Sequence, residues 1–344
     1  MLKSNFLVKE AWLDRHLLIS VVVLLVVVFG QPTLANAYEA EVLGIHVLGP
    51  HDREYAVKLL KSEHNQEKWH YLTVPLALKD LDHLEEWRDF FERCKREKFV
   101  PIVRLATRVE GDTWTIPTRK EIVSLFEFMN KLSWPTENRY VIAFNEVNHA
   151  KEWGGRLDPV GYTQTLEFVT NWAHTERFDY KVMPAAMDLA APNAIGHMEA
   201  FNYLSQMLAA NPWIFDHIDY WNSHSYPNPA FSSSPTMTGQ NSLRGFEHEL
   251  NFIQNKTGRK MEVFITETGW VDNRYTRPWL TNYYLYALQH IWTHPQVKGV
   301  TPFLLRGAPG PFSSFSFFDE SGNPTVMFKA LREGVLGASK EDVD

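Results

Sequence analysis

The stretch Tyr140-Val141-Ile142-Ala143-Phe144-Asn145-Glu146 decides the fold. A continuous apolar run stops abruptly on an amide and a carboxylate. Unbroken rather than alternating apolar character is expected of a parallel strand covered on both faces. A second stretch has the same build: Val263-Phe264-Ile265-Thr266-Glu267-Thr268-Gly269-Trp270. Working outward, further apolar runs lie at 42–48, 71–76, 100–106, 181–187, 218–222 and 300–305.

Helix-period stripes separate these runs. Leu84, Trp87, Phe90, Phe91 and Cys94 share one face, as do Ile122, Leu125, Phe126 and Met129, and later Tyr284, Leu285, Leu288 and Ile291. Thr118-Arg119-Lys120-Glu121 reads as a capping box, and Asp158-Pro159 as a cap followed by Pro at the first helical position. Strand-then-helix units repeated through one domain predict an α/β fold, a (β/α)8 TIM barrel over residues 38–337. A doubly wound sheet would carry a Gly-rich phosphate turn after its first strand. The turn here is Leu48-Gly49-Pro50-His51-Asp52, which is not one.

The ends of the chain read differently. Lys3, Lys9 and Arg15 precede an apolar run at 17–29, followed by the small-x-small pattern Ala35-Asn36-Ala37. The run falls short of the ~18–20 residues that span a bilayer. It reads as a signal peptide over residues 1–37 of an exported protein, with a signal anchor as the alternative. Residues 338–344 form a polar tail. The formal net charge is −7 with no Lys/Arg cluster, which argues against a nucleic-acid partner. Cys94 is the single cysteine, so no internal disulfide forms, and its place on an apolar stripe makes it a buried small hydrophobe. A monomer is expected.

In a (β/α)8 barrel the reactive side chains stand at the carboxyl ends of the strands. Those positions hold Asp52, Arg104, Asn145, Glu146, Asp188, His224, Tyr226, Glu267 and Arg306. Two glutamates at two strand ends are what glycoside cleavage needs: one protonates the departing oxygen, the other attacks the anomeric carbon. Such a reaction needs no metal and no organic cofactor. A metal-dependent hydrolase on this fold would want a His-x-His pair ending strand one, and His46 stands alone there. Glu247-His248-Glu249 reads as a solvated helix face rather than a metal site.

Asn145-Glu146 on strand four, Glu267 on strand seven and His224-Ser225-Tyr226 on strand six resemble the retaining (β/α)8 glycoside hydrolases of clan A, a group of cellulases, mannanases and glucanases. The resemblance implies Glu146 as acid/base, Glu267 as nucleophile, Asn145 on a sugar hydroxyl, and Tyr226 hydrogen-bonded to the nucleophile. It implies a β-linked polysaccharide or oligosaccharide as substrate. Two positions depart from the pattern. Strand two lacks the Arg common in the clan, and Arg104 on strand three is expected in its place. The strand-eight segment Phe303-Leu304-Leu305-Arg306-Gly307 lacks a Trp. Arg306 is expected to bind a sugar hydroxyl. With 12 Trp in the chain, sugar stacking on aromatic faces is expected, and Trp270 is the foremost platform. Trp114, Trp153, Trp221 and Tyr275 are further options. An inactive carbohydrate-binding barrel and a transglycosylase are the alternative readings.

Overall fold

A computed structural model describes residues 41–62 and 65–341. The signal segment at residues 1–37 lies outside the described residues. The barrel strands are β1 (Ile45–His46), β2 (His70–Ala77), β3 (Phe99–Ala106), β4 (Arg139–Ala143), β5 (Tyr180–Pro184), β6 (Trp221–His224), β7 (Val263–Glu267) and β8 (Val297–Val300). The helices between and after them are α1 (Arg53–Leu60), α2 (Leu84–Glu97), α3 (Arg119–Met129), α4 (Pro159–Thr175), α5 (Ala200–Ala210), α6 (Gly245–Thr257), α7 (Leu280–His290) and α8 (Val326–Glu341). The tail expected from residue 338 therefore starts inside α8, which continues to Glu341.

Every strand pairing within the barrel is parallel. One run joins β1 through β5 in sequence order and a second joins β6, β7 and β8. Parallel bridges at Leu43 to Val300 and at Asp188 to His224 link the two runs into a ring. The backbone bonds Gly44 N–H to Val300 O (2.7 Å) and Asp219 N–H to Val182 O (2.9 Å) tie the same seams. Aromatic rings fill the amino end of the barrel. Phe264 meets Tyr71 and Tyr140 at 5.1 Å between centroids and Tyr220 at 5.3 Å. Gly299 makes room for this plug, since a Cβ there would lie 2.7 Å from the Tyr71 ring. The blocked floor leaves the carboxyl ends of the strands as the open mouth.

Local signals place the helices as expected. Thr118 and Glu121 form the reciprocal capping box of α3, and the Asp158 carboxylate accepts from Gly161 N–H at the start of α4. Two strands sit apart from their apolar runs. β6 begins at Trp221 rather than at 218, because Asp219 is drawn aside to Val182 N–H and His174. β8 ends at Val300 rather than beginning there. Past it Thr301 still donates its N–H to Ile265 O at 2.9 Å and its hydroxyl to Thr266 O at 2.8 Å, but the regular strand has ended.

A third correction concerns Glu247-His248-Glu249. Glu247 pairs with Arg244 and His248 bonds Thr238 O, but Glu249 is fully buried against β6, with Ser223 Oγ on its carboxylate.

Candidate active site

Chain geometry at the end of β4 aims the first glutamate. Phe144 takes φ +74° and Glu146 φ +30°, a region that non-glycine residues rarely occupy and that clusters at functional sites. Tyr162 OH donates to Ala143 O at 3.0 Å and accepts from Ala185 N–H at 2.6 Å, bracing the strand ends behind this turn. The second glutamate closes β7 and is buried.

The two side chains meet in the mouth. Glu146, His224 and Glu267 bring one oxygen or nitrogen each to within 4.8 Å of one another. His224 Nδ1 lies 2.8 Å from Glu146 Oε1 and 3.7 Å from Glu267 Oε2. Arg104 Nη1 donates to Glu267 Oε1 at 2.6 Å and to Asn145 Oδ1 at 2.7 Å. Tyr226 OH donates to Glu267 Oε2 at 3.1 Å. Arg104 thus stands on the carboxylate from strand three. Its neighbour in register on β2 is Pro75, which has no group to offer.

Electrostatics separate the members of this cluster. Burial alone would raise the Glu267 carboxyl. The charges of His224 and Arg104 and the Arg104 hydrogen bond outweigh it, and the group falls to about 2. His46 sits 3.7 Å from Glu267, yet burial pushes it down to about 4, so at neutral pH it contributes no charge. Burial opposes charge on His224 too. The Glu267 charge and the Glu146 hydrogen bond override it, and His224 rises above its ordinary value. Tyr226 is held far above 10 by burial and by the two carboxylates, so it remains a donor.

These groups open onto a cleft of roughly 670 Å³. Its lining includes Arg104, Asn145, Glu146, Tyr226 and Glu267. Thr107, Trp114, Thr115, Glu152 and Asp188 add polar and aromatic surface. Phe231, Phe303, Phe312 and Phe315 form an aromatic wall, each ring edge-on to another at 5.1 to 5.9 Å.

The mouth does not receive every residue expected there. Trp270 is fully buried; its indole N–H donates to Ser233 O at 2.8 Å, and Tyr283 and Tyr284 pack on it at 5.2 Å. It offers no face to a sugar. Gly269, at φ +115°, has already turned the chain away from the mouth. Arg306 bonds Asp52 Oδ1 at 3.3 Å and lies over the Tyr55 ring at 4.4 Å, outside the cleft lining. Trp114 lines the cleft from a short hairpin, and Trp153 does so while almost wholly buried. Trp221 is buried and Tyr275 is exposed outside the lining.

Sequence reasoning missed Glu152. It lines the cleft, accepts from Asn145 Nδ2 at 3.3 Å, and rises because of burial and then the Glu146 charge. Its place on the loop that leaves Glu146 was the available signal. Asp188 is paired at 2.9 Å with His149 Nε2, and the His149 ring in turn meets His197.

No family model matches the chain, and no curated protein matches it. Solved structures do. A family 39 glycoside hydrolase from the gut symbiont Bacteroides cellulosilyticus WH2 superposes with TM-score 0.54 at 15% identity, over 87% of this chain and 64% of that one, less than two thirds of its length. A GH128 (subgroup II) endo-β-1,3-glucanase from Pseudomonas viridiflava gives 0.52 at 15% identity, over 85% of this chain and 97% of that one. An endo-β-1,4-glucanase from Xanthomonas axonopodis pv. citri gives 0.53 at 12% identity, over 87% and 99%. At these identities the likeness is one of fold alone: the chain shares a (β/α)8 barrel with these glycoside hydrolases.

Proposed function

We propose that the protein is a retaining glycoside hydrolase acting on a β-linked polysaccharide or its oligomers, with a neutral glucan as the first substrate to try. The observation that carries this reading is the approach of Glu146 and Glu267 to within 4.8 Å with unlike partners. Retaining enzymes hold their carboxyls ~5–5.5 Å apart, whereas inverting ones leave ~6.5–9.5 Å for a water. That a β-1,3-glucanase and a β-1,4-glucanase share the fold supports the choice of substrate class.

In this mechanism Glu267, kept ionised by Arg104 and Tyr226, attacks the anomeric carbon. The glycosidic C–O bond breaks as Glu146 passes its proton to the departing oxygen. His224 occupies Oε1 of Glu146, so Oε2 is the oxygen that carries that proton. Glu146 then takes a proton from water, whose oxygen displaces Glu267 from the glycosyl ester. The buried donors around Glu267 stabilise the carboxylate as it leaves. With residues 1–37 read as a leader, the enzyme acts outside the cytoplasm.

The test is a panel of β-linked aryl glycosides and polysaccharides with three proteins. Glu267→Gln should form no glycosyl-enzyme. Glu146→Ala should lose activity on poor leaving groups far more than on activated aryl glycosides, and azide should rescue it with a β-glycosyl azide as product. Full activity in Glu267→Gln would reject the mechanism.

A further inference from the structure

Behind the cleft lies a buried carboxyl that the reaction does not touch. Glu249 on α6 is fully buried, and its carboxylate accepts from Ser223 Oγ on β6. Ser223 Oγ lies 2.8 Å from Ser225 Oγ, which accepts from Phe246 N–H at 2.8 Å. The chain of bonds therefore runs from the first turn of α6 through the outer face of β6 and back to α6. Side chains alternate along a strand. Ser223 and Ser225 face the helix, so His224 and Tyr226 face the barrel interior, where they meet Glu146 and Glu267. The helix start is tight on several sides, with Gln240 O 2.7 Å from where a Cβ on Gly245 would stand. A Cβ on Gly245 would lie 3.2 Å from Ser225 Oγ and 2.3 Å from Leu189 Cδ1.

We propose that Glu249 is a positioning residue: through Ser223 and Ser225 it fixes β6 against α6, and so fixes His224 and Tyr226 on the two cleft carboxyls. Its kinetic consequence rests on the catalytic reading of those carboxyls; its structural consequence does not.

The site also has a state that pH changes. Burial raises Glu249 to about 8, so it is a neutral acid at pH 7. The groups that act on its charge are the Ser223 hydroxyl, the Trp221 indole N–H and His224. His224 in turn faces Glu146, Glu267 and Arg104. Losing the Glu249 proton places an anion behind His224, with few donors to hold it, and draws a proton toward that ring.

The experiment compares full-length wild type, Glu249→Gln and Glu249→Leu. Isotope-labelled histidine is followed by NMR from pH 6 to 10, the His224 signal being the one absent from His224→Asn. kcat and KM are measured on the best aryl glycoside. Glu249→Gln mimics the neutral acid. It should match wild type near pH 6 in both readouts and lack the alkaline inflection near pH 8 that wild type shows. Glu249→Leu should shift the His224 signal already at pH 6, with kcat lower by about tenfold or more and KM little changed. A folded Glu249→Leu with wild-type His224 signal and kcat would overturn the proposal, as would an unchanged alkaline inflection in Glu249→Gln. Should Glu249→Leu not fold, the Glu249→Gln titration decides. If wild type cleaves no glycoside yet the His224 titrations differ, the glycosidase reading fails and the positioning role stands.

Discussion

Glu267 is held by a cation on one oxygen and a phenol on the other, and the cation has consequences that can be measured. Arg104 lowers the Glu267 carboxyl by both charge and hydrogen bond. Removing it in Arg104→Ala should let Glu267 rise, so that less of it is ionised in acid. The acid limb of kcat/KM should move to higher pH by about one to three units. An unmoved limb would mean that Glu267 is not the group titrating there. Trp270 makes the opposite case. It was legible as an aromatic beside a strand end, but the sequence pattern carried no sign of the turn at Gly269 that carries it into the helix layer. Trp270→Phe should leave KM for any glucan unchanged and lower stability by about 1–3 kcal/mol, from Ser233 O left without its donor and from the space left by the smaller buried ring. Thermal unfolding and saturation kinetics on the same preparation separate the two effects.

Elements were legible where apolar runs are long and helix signals local. β2, β3, β4 and β7 fall on their runs, and α3 and α4 begin at their caps. β6 and β8 do not, because ladder bonds to neighbouring strands, not hydropathy, set where a strand begins and ends. α6 was misjudged for a different reason. Its polar triplet suggested a solvated face, yet Phe246, Glu249, Leu250 and Ile253 fall at i, i+3, i+4 and i+7 and all are buried. That spacing was readable, and it puts Glu249 on the core side. The two glutamates of the mouth were legible because one closes a buried strand and the other stands just past the end of one. Glu152 had only its place on the loop leaving Glu146 to mark it, since a loop residue has no periodicity to place it. The tight start of α6 yields a prediction at this scale. Gly245→Val puts atoms where Leu189 Cδ1 and Gln240 O already stand, at 2.3 and 2.7 Å from the first new carbon. The helix start must move away from Leu189 and the Gln240 carbonyl, at a cost of about 1–3 kcal/mol. A Tm equal to wild type would show that the start of α6 is packed less tightly against Leu189 and Gln240.

Across the whole barrel, buried titratable groups fix how stability varies with pH. Burial lowers His46 and His70 from 6.5 to about 4. Between pH 4 and 6.5 the unfolded chain binds protons there that the folded chain does not, so stability rises with pH through that window. Glu267, lowered to about 2, adds a rise between pH 2 and 4.5. Glu249 acts in the reverse sense. Its folded value of about 8 exceeds its ordinary 4.5, so the folded chain keeps a proton that the unfolded chain has lost. Stability falls with pH through that interval, by about 1.4 kcal/mol per pH unit for one proton. His224 and His149 are both raised above 6.5, so their contribution too is complete below 6.5 and is lost above it. Below 6.5 the two lowered histidines are opposed by Glu249 and by Glu152 and Asp52, which burial also raises; from 6.5 toward 8 the histidines no longer contribute a rise and the falls from Glu249, His224 and His149 stand. Tm should therefore decline from pH 6.5 toward pH 8. In Glu249→Gln one falling contribution is gone, so the gap in Tm between variant and wild type should shift in the variant's favour from pH 5 to pH 8. Thermal unfolding in buffers of matched ionic strength measures both curves. A wild-type Tm still climbing at pH 8, or a gap independent of pH, would show that Glu249 ionises in the folded chain as it does in the unfolded one.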